Sequence, residues 1–474
     1  MSRYDNNLVV LGAGSGGLIA ALIAATVNAR VTLIEKAQMG GDCLNTGCVP
    51  SKTLIRSAKV AHEMRSADRY GIAAREPEVD FAAVMERVQA AIRAIEPKDS
   101  MARYSELGVT CVAGHGALED AHHVRVGDRL ISTRSIVLAT GASPLLPPIP
   151  GLEQADPLTS DNLWALRDLP SQLLVMGGGP IGCELAQSFQ RLGSQVTLID
   201  MESRLLPRED AEVGEFMAET LSAEGVDVRL GHQAKEIADG MLHASTGSGD
   251  VAIAFDRILV AVGRRPHTEG LGLEKLGIET AANGTIVVDE YLRTACPNVF
   301  ACGDATGPYQ FTHMASHQAW YASVNAMFGR FKKFKVDYSV VPWCTFTDPE
   351  VARVGLSESE AAAQGIAVEV IRYGLDDLDR SIADGSTRGW VKVLVKPGSD
   401  RILGACIVGS AAGELIGEFV SAMTHGLGLK KIMATIHIYP TLLEANKFAA
   451  STWRRAHAPE RLLKAVGLLQ RLLR

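Results

Sequence analysis

The chain has 474 residues, 47% hydrophobic and 21% charged, with a formal net charge of −7 and eight cysteines. That length predicts about three domains at ~100–200 residues each. The negative charge argues against nucleic acid as a main partner, and no apolar run approaches the ~18 residues of a membrane span. Cysteine is too sparse for a disulfide scaffold, and the chain enters a strand almost at once, so a cytoplasmic, reducing compartment without a cleaved leader is expected.

The first elements form a recognisable series. Leu8–Leu11 reads as a buried strand, and Gly12, Gly14 and Gly17 then fall at G-x-G-x-x-G spacing. Leu18–Ala25 reads as a helix, and Val31–Glu35 as a second strand ending in an acid. Such glycines let backbone N–H groups and a helix N-terminus approach a pyrophosphate, while the acid accepts from a ribose hydroxyl. Strand, turn, helix, strand and acid in that order predict a dinucleotide-binding unit.

Gly40-Gly41-Asp42-Cys43-Leu44-Asn45-Thr46-Gly47-Cys48-Val49-Pro50-Ser51-Lys52 follows. A regular helix would separate Cys43 and Cys48 by ~7.5 Å along its axis, beyond the ~7 Å reach of a disulfide. If the two pair, the segment between them is not regular helix, and Asn45 and Gly47 are residue types that tolerate the distortion. A helix starting near Cys48 would favour its thiolate. The plain alternative is two unrelated buried cysteines. Cys111, Cys183, Cys296, Cys302, Cys344 and Cys406 sit singly, without a C-x-x-C pattern, and are expected to pack as small hydrophobes.

The nucleotide device then repeats. Leu173–Met176 reads as a strand, Gly177, Gly179 and Gly182 form the turn, and Val196–Asp200 ends in another acid. Glu35 and Asp200 each follow the first glycine of their turn by 23 positions. Two copies predict two nucleotides.

Together with Ala139-Thr140-Gly141, Gly263-Arg264-Arg265-Pro266, Ala301-Cys302-Gly303-Asp304, Phe346-Thr347-Asp348-Pro349-Glu350 and Tyr439-Pro440-Thr441-Leu442-Leu443-Glu444, these features give the chain a resemblance over nearly its full length. It resembles the pyridine nucleotide-disulfide oxidoreductases, the group of dihydrolipoyl dehydrogenase, glutathione reductase and mercuric reductase. The resemblance implies an α/β fold with two Rossmann-like dinucleotide-binding domains and a C-terminal α+β dimerisation domain. The expected spans are an FAD domain at 1–150, an NAD(P) domain at 151–275, a return to the FAD domain at 276–338 and a dimerisation domain at 339–474. It also implies an obligate homodimer.

The resemblance carries roles to particular residues. Cys48 is the thiol that meets the flavin and Cys43 the one that meets substrate. Hydride passes between nicotinamide and flavin, and electrons pass between flavin and the thiol pair. Lys52 stabilises the reduced flavin, with Glu184 as its partner. FAD is expected against Gly12, Gly14, Gly17, Glu35, Lys36, Gly41, Lys52, Gly116, Thr140, Gly141, Gly303, Asp304, Met314 and Ala315. The nicotinamide nucleotide is expected against Gly177, Gly179, Gly182, Asp200 and Gly263. Asp200, aided by Glu202, would repel a 2′-phosphate, so NADH is expected over NADPH despite Arg204. No resident metal is expected.

The informative departure lies near the C-terminus. Dihydrolipoyl dehydrogenases and glutathione reductases place a histidine before the proline and a glutamate five residues later, and the partner subunit uses that dyad as acid and base. Here Tyr439 precedes Pro440, Glu444 remains, and His437 lies two residues earlier. Tyrosine, with a reference pKa of about 10, is a poor base at neutral pH. Mercuric reductases carry tyrosine at this position, and an aromatic residue suits the cis peptide the family uses there. They also carry a vicinal cysteine pair in the tail, whereas the last cysteine here is Cys406. The expected function is therefore a mercuric-reductase-like flavoenzyme acting on a metal ion or a small thiol/disulfide. One alternative is a dihydrolipoyl dehydrogenase acting on lipoamide or a lipoyl carrier protein, with His437 or Glu444 taking the proton. Another, of a different class, is a low-turnover redox-sensing or interaction protein.

The tail carries Arg454, Arg455, Arg461, Lys464, Arg471 and Arg474 against Glu460, with Leu462, Val466, Leu469 and Leu473 at helical spacing. It is expected to pack on its own dimer rather than on a membrane.

Overall fold

The computed structural model describes residues 4–474; the side chains of residues 460–462, among them Glu460, Arg461 and Leu462 of the tail pattern, lie outside the described set. The chain divides into two compact units. The first runs to Asp68 and takes in Ile72–Leu205 and Ala218–Asp337; the second comprises Arg69–Gly71, Leu206–Met217 and Tyr338–Arg474.

In the first unit, β1 (Asn6–Leu11), α1 (Ser15–Thr26) and β2 (Val31–Glu35) follow the sequence expectation to within a few residues. β1 pairs in parallel with β2, Leu8 opposite Val31, and on its other side with β6 (Arg129–Leu138), Leu8 opposite Ser135. β3 (Val109–Ala113) extends the sheet beyond β2, while β4 (Gly116–Asp120) and β5 (His123–Val126) add an antiparallel edge. Leu8, Val9, Val10, Ile136 and Val137 are wholly buried, as expected of parallel strands covered on both faces.

The second device is built alike. β8 (Gln172–Met176), which follows the short β7 (Ala142–Pro144), pairs in parallel with β9 (Gln195–Asp200), and β10 (Asp227–Leu230) continues beyond it. Each turn needs its last glycine for close packing: a Cβ on Gly17 would lie 1.7 Å from the Gly12 carbonyl oxygen, and one on Gly182 would lie 1.8 Å from that of Gly177. Both first glycines adopt positive φ, +97° at Gly12 and +116° at Gly177, a conformation other residues rarely take. Pro180 opens the following helix, Pro180–Leu192, at its first turn, where its missing N–H costs nothing.

The second unit is built on a five-stranded antiparallel sheet, in the order Pro342–Thr345, Glu350–Gly355, Ile402–Gly409, Trp390–Val395, Glu369–Gly374. The helices Ala412–Thr424 and Glu444–Ala456 contribute Phe419, Ala445, Ala449 and Trp453 to its core. Residues 206–217, read from the sequence as part of the second nucleotide domain, lie in this unit. Ion pairs hold them there: Arg353 reaches Glu209 at 2.9 Å, and Lys392 reaches Asp210 at 2.6 Å and Glu212 at 2.7 Å. The terminal helix Glu460–Leu472 forms as expected, and its leucines at 463, 468, 469 and 472 are exposed in the single chain.

Candidate active site

The cysteine segment is broken helix. α2 (Gly41–Asn45) stops at Thr46, and α3 (Cys48–Arg65) begins at Cys48. Three contacts fix the break. The Asn45 side chain donates to Met39 O at 3.0 Å and Gly41 O at 2.9 Å, and Trp164 Nε1 donates to Thr46 O at 3.0 Å. A Cβ on Gly47 would come within 2.9 Å of Asp42 O, so the close turn between the two helices requires glycine.

Both cysteines are thiols here, and their sulfurs share a hydrogen bond. They divide one proton unequally. The bond from Cys43, then Thr312 and Lys52, draw the Cys48 thiol down to about 6 against the opposing effect of burial. Cys43 is pushed far above the usual thiol range by that same bond and by burial. Thr312 Oγ1 lies 3.3 Å from Cys48 Sγ, at the start of the helix Thr312–Phe328. Cys48 therefore opens a helix, faces a hydroxyl and has a cation near it, which together favour the thiolate.

Lys52 Nζ donates to Glu184 at 2.9 Å; Glu184 is nearly buried and Lys52 is partly exposed. Glu184 stands on Pro180–Leu192, so the second nucleotide device and the thiol helix meet through this pair. The strand-end acids bind the backbone of their own turns. Glu35 accepts from Ala13 N at 2.6 Å and Ala37 N at 2.7 Å, and Asp200 accepts from Gly178 N at 2.5 Å and Glu202 N at 2.8 Å. Each acid thus clamps the middle of its own glycine turn.

The other residues expected at the cofactors have the following surroundings. A Cβ on Gly41 would meet Gly14 Cα at 2.6 Å, and Gly14 has open space apart from Gly41. Thr140 donates to His267 O at 2.7 Å, Gly303 N donates to Gln318 at 2.6 Å, and Met314 and Ala315 are buried in the first turn of Thr312–Phe328. Gly141 and Gly263 have positive φ, Gly116 is buried against Leu11 and Ile34, and Lys36 is exposed. Burial raises the Asp304 carboxyl, and Arg264 opposes the shift from 3.3 Å. Arg264 also donates to Ala142 O at 2.8 Å and pairs with Asp42, the residue before Cys43. A glycine cradle open at Gly14 and Gly179 and two helix N-termini without side-chain caps fit a dinucleotide at each turn.

The C-terminal candidates lie in the second unit. The peptide before Pro440 is cis. Tyr439 is 67% exposed, and its hydroxyl donates to Asp379 Oδ2 at 3.1 Å. Glu444 is buried and accepts from Thr441 N at 3.3 Å. His437 is enclosed: its side chain is 1% exposed, Nε2 lies 2.9 Å from Glu418 and Nδ1 lies 3.0 Å from Thr435 O.

Of the other cysteines, Cys183, Cys302 and Cys406 are buried with thiols raised by desolvation, and Cys296 is nearly so. Cys344 is half-buried and packs against the core of the second unit, as expected, and Cys111 is half-buried. Thr312, Asp42 and Asp379 escaped the sequence reading. Thr312 is 264 positions from Cys48, and nothing in its local pattern marks it. Among the described residues no group of three or more His, Cys, Asp and Glu gathers as a metal site, and no helix is long and apolar enough to cross a membrane.

A family model described as pyridine nucleotide-disulphide oxidoreductase matches residues 6–319, and that of its dimerisation domain matches residues 341–450. A mercuric reductase of Streptomyces lividans is 36% identical over 460 residues, covering 95% of this chain and 96% of its own. A dihydrolipoyl dehydrogenase of Chlamydia muridarum is 37% identical over 443 residues, covering 92% and 94%. Among solved structures, LpdA of Mycobacterium tuberculosis matches with a TM-score of 0.86 at 28% identity, covering 96% of this chain and 100% of that one. A Cu(II) complex of the HOCl-induced flavoprotein disulfide reductase RclA of Escherichia coli matches with a TM-score of 0.84 at 29% identity, covering 95% and 99%.

Proposed function

We propose that this chain, which belongs to the pyridine nucleotide-disulphide oxidoreductase family, takes electrons from NADH and delivers them through the Cys43–Cys48 pair to a metal ion or an oxidised thiol. Bound FAD supplies the two-electron relay between the nicotinamide and the thiols. The chain's own residues do the rest. The glycine turns seat the two diphosphates, and Asp200 favours a free 2′-hydroxyl, hence NADH. Cys48 holds negative charge near Lys52 and Thr312. Cys43 meets substrate, and as it attacks or ligates, its proton passes along the shared hydrogen bond to the Cys48 thiolate. The pair goes from dithiol to disulfide as it gives up two electrons.

The observation that carries this reading is the side chain before Pro440. Oxidising a dithiol needs a base to accept its protons, and Tyr439 has its own proton committed to Asp379. Asp379 raises the phenol above its ordinary value, with Glu444 adding to the effect, so it stays protonated at neutral pH. That arrangement suits delivery of electrons to a substrate better than oxidation of dihydrolipoamide. The soft thiols suit a soft metal, and the relatives include mercuric reductases and a flavoprotein solved as a Cu(II) complex. The second reading, dihydrolipoyl dehydrogenase, is favoured by the retained Glu444 and by the chlamydial relative.

NAD⁺ reduction by dihydrolipoamide at neutral and alkaline pH separates the two. Negligible turnover alongside NADH-driven reduction of Hg(II), Cu(II) or a small disulfide supports the first reading; robust turnover with dihydrolipoamide overturns it. If the base alone is missing, Tyr439→His should raise dihydrolipoamide turnover by ~10²–10⁴-fold. No gain would show that the pocket itself excludes that substrate.

A further inference from the structure

Tyr439 is exposed, yet its hydroxyl bonds to a corner of the fold that is packed into the core of the second unit. Asp379 is the first residue of the short helix Asp379–Ala383. Leu375 and Leu378, just before it, are 2% and 1% exposed and belong to the core of the second unit, and Ser381 within the helix is wholly buried. Tyr373, whose ring packs 5.4 Å from that of Phe448, donates to Asp377 O at 2.8 Å. At the far end of the helix, Tyr70 donates to Asp384 O at 2.9 Å. Arg380 pairs with Asp384 at 2.7 Å and reaches Pro440 O at 3.4 Å, so the same helix touches both Tyr439 and the proline after it. The charged groups acting on the phenol are Asp379 from this helix and Glu444 from the helix Glu444–Ala456, while Arg380 meets the Pro440 carbonyl.

We infer that Asp379 is a positioning residue: its carboxylate takes the Tyr439 hydroxyl proton in a fixed hydrogen bond and so turns the phenol oxygen's lone pairs outward. Tyr439 is then a neutral, oriented acceptor, fit to receive a thiol S–H or to ligate a metal ion, and it is not a base. A phenol hydroxyl left to rotate would present donor and acceptor in turn; a carboxylate partner selects one state. The use made of Tyr439 rests on the function proposed above, whereas the geometry stands without it. Asp379 lies 60 positions from Tyr439, and its role is separate from that of Glu444, which is buried and bonded to the backbone of Thr441.

The test is a titration of Tyr439 in the full-length flavoprotein, with tyrosines labelled at ¹³Cζ. The chain has nine tyrosines, so Tyr439→Phe assigns the signal. In the unaltered protein the Tyr439 signal should titrate above the ordinary value of about 10. Asp379→Ala should bring it back toward that value. Asp379→Asn, which keeps an acceptor oxygen but loses the charge, should fall between. Flavin content and melting temperature report folding in each variant. With NADH and Hg(II) as the probe pair, the alkaline limb of turnover should move to lower pH in the same order, and Asp379→Asn should retain more turnover than Asp379→Ala. A Tyr439 signal that titrates at the same pH in all three proteins overturns the inference. If no probe is reduced by the unaltered protein, the reaction reading falls, and the titration still decides the role of Asp379.

Discussion

Lys52 and Lys392 are both held against carboxylates, but to different ends. Lys52 pairs with Glu184 at 2.9 Å and keeps its side chain 37% exposed. Lys392 is 2% exposed and ringed by Asp210, Glu212 and Glu358 at 2.6, 2.7 and 2.8 Å. Burial alone would lower the Lys392 ammonium; the three carboxylates overcome it and raise the group well above its ordinary value. That field is neutralised within its own cluster, and its effect is to hold residues 210–212 on the sheet. Around Lys52 the charge is less enclosed and reaches Cys48, which it helps to keep ionised. A lysine saturated with partners is structural, whereas one left partly open acts on its surroundings.

Four experiments sharpen or break that contrast. The largest effect belongs to the thiols. Cys43→Ser should abolish disulfide or metal turnover while NADH still reduces the flavin in a stopped-flow assay; retained turnover would remove the thiols from the mechanism. Next is Lys392→Met, which leaves three carboxylates facing one another. It should cost about 3–5 kcal/mol in chemical denaturation, the usual scale for breaking a buried pair. An unchanged midpoint would show that the cluster is not structural.

The pH window of that cluster gives a milder test. Burial opposes ionisation of Asp210 and Glu212, but Lys392, with the Ser359 backbone at Asp210 and Arg372 at Glu212, outweighs it and lowers both from their ordinary values of 3.8 and 4.5. Their contribution to stability is therefore present above about pH 4.5 and lost as pH falls through the lowered values. Lys392, raised from 10.5, contributes below that pH and loses its contribution on the alkaline side. Melting temperatures across pH should fall off at both ends, and the acid loss should shrink in Lys392→Met.

The smallest stability effect is expected for Lys52→Met, within about 1 kcal/mol because the lysine is partly exposed. Its signature is chemical instead. Alkylation of Cys48 by iodoacetamide, half-maximal near pH 6 if Cys48 titrates at about 6, should shift to higher pH. A large loss of stability with no shift would reverse the roles given to the two lysines.

Both glycine turns, the acids ending their strands and the helix break between Cys43 and Cys48 were legible in the sequence. They depend on neighbours within about two dozen positions, and local spacing encodes the backbone they need. The departure at Tyr439 was legible too, since its distance from Pro440 and Glu444 is local. The partners of these side chains were not legible: nothing near His437 in the sequence marks Glu418, 19 positions away, as its neighbour. Among 54 acidic residues, no pattern singles out Asp379 for Tyr439 or Asp210 for Lys392.

Sequence alone determined that the chain has two dinucleotide turns and a cysteine pair in a distorted helix, because glycine conformations, strand ends and helix starts are set by near neighbours. Tertiary structure alone decided which side chains set the chemistry: Thr312 at Cys48, Asp379 at Tyr439 and Glu418 at His437. Those pairs join segments 19 to 264 positions apart. A proton's position depends on the few ångströms around it, which folding brings together and sequence order does not.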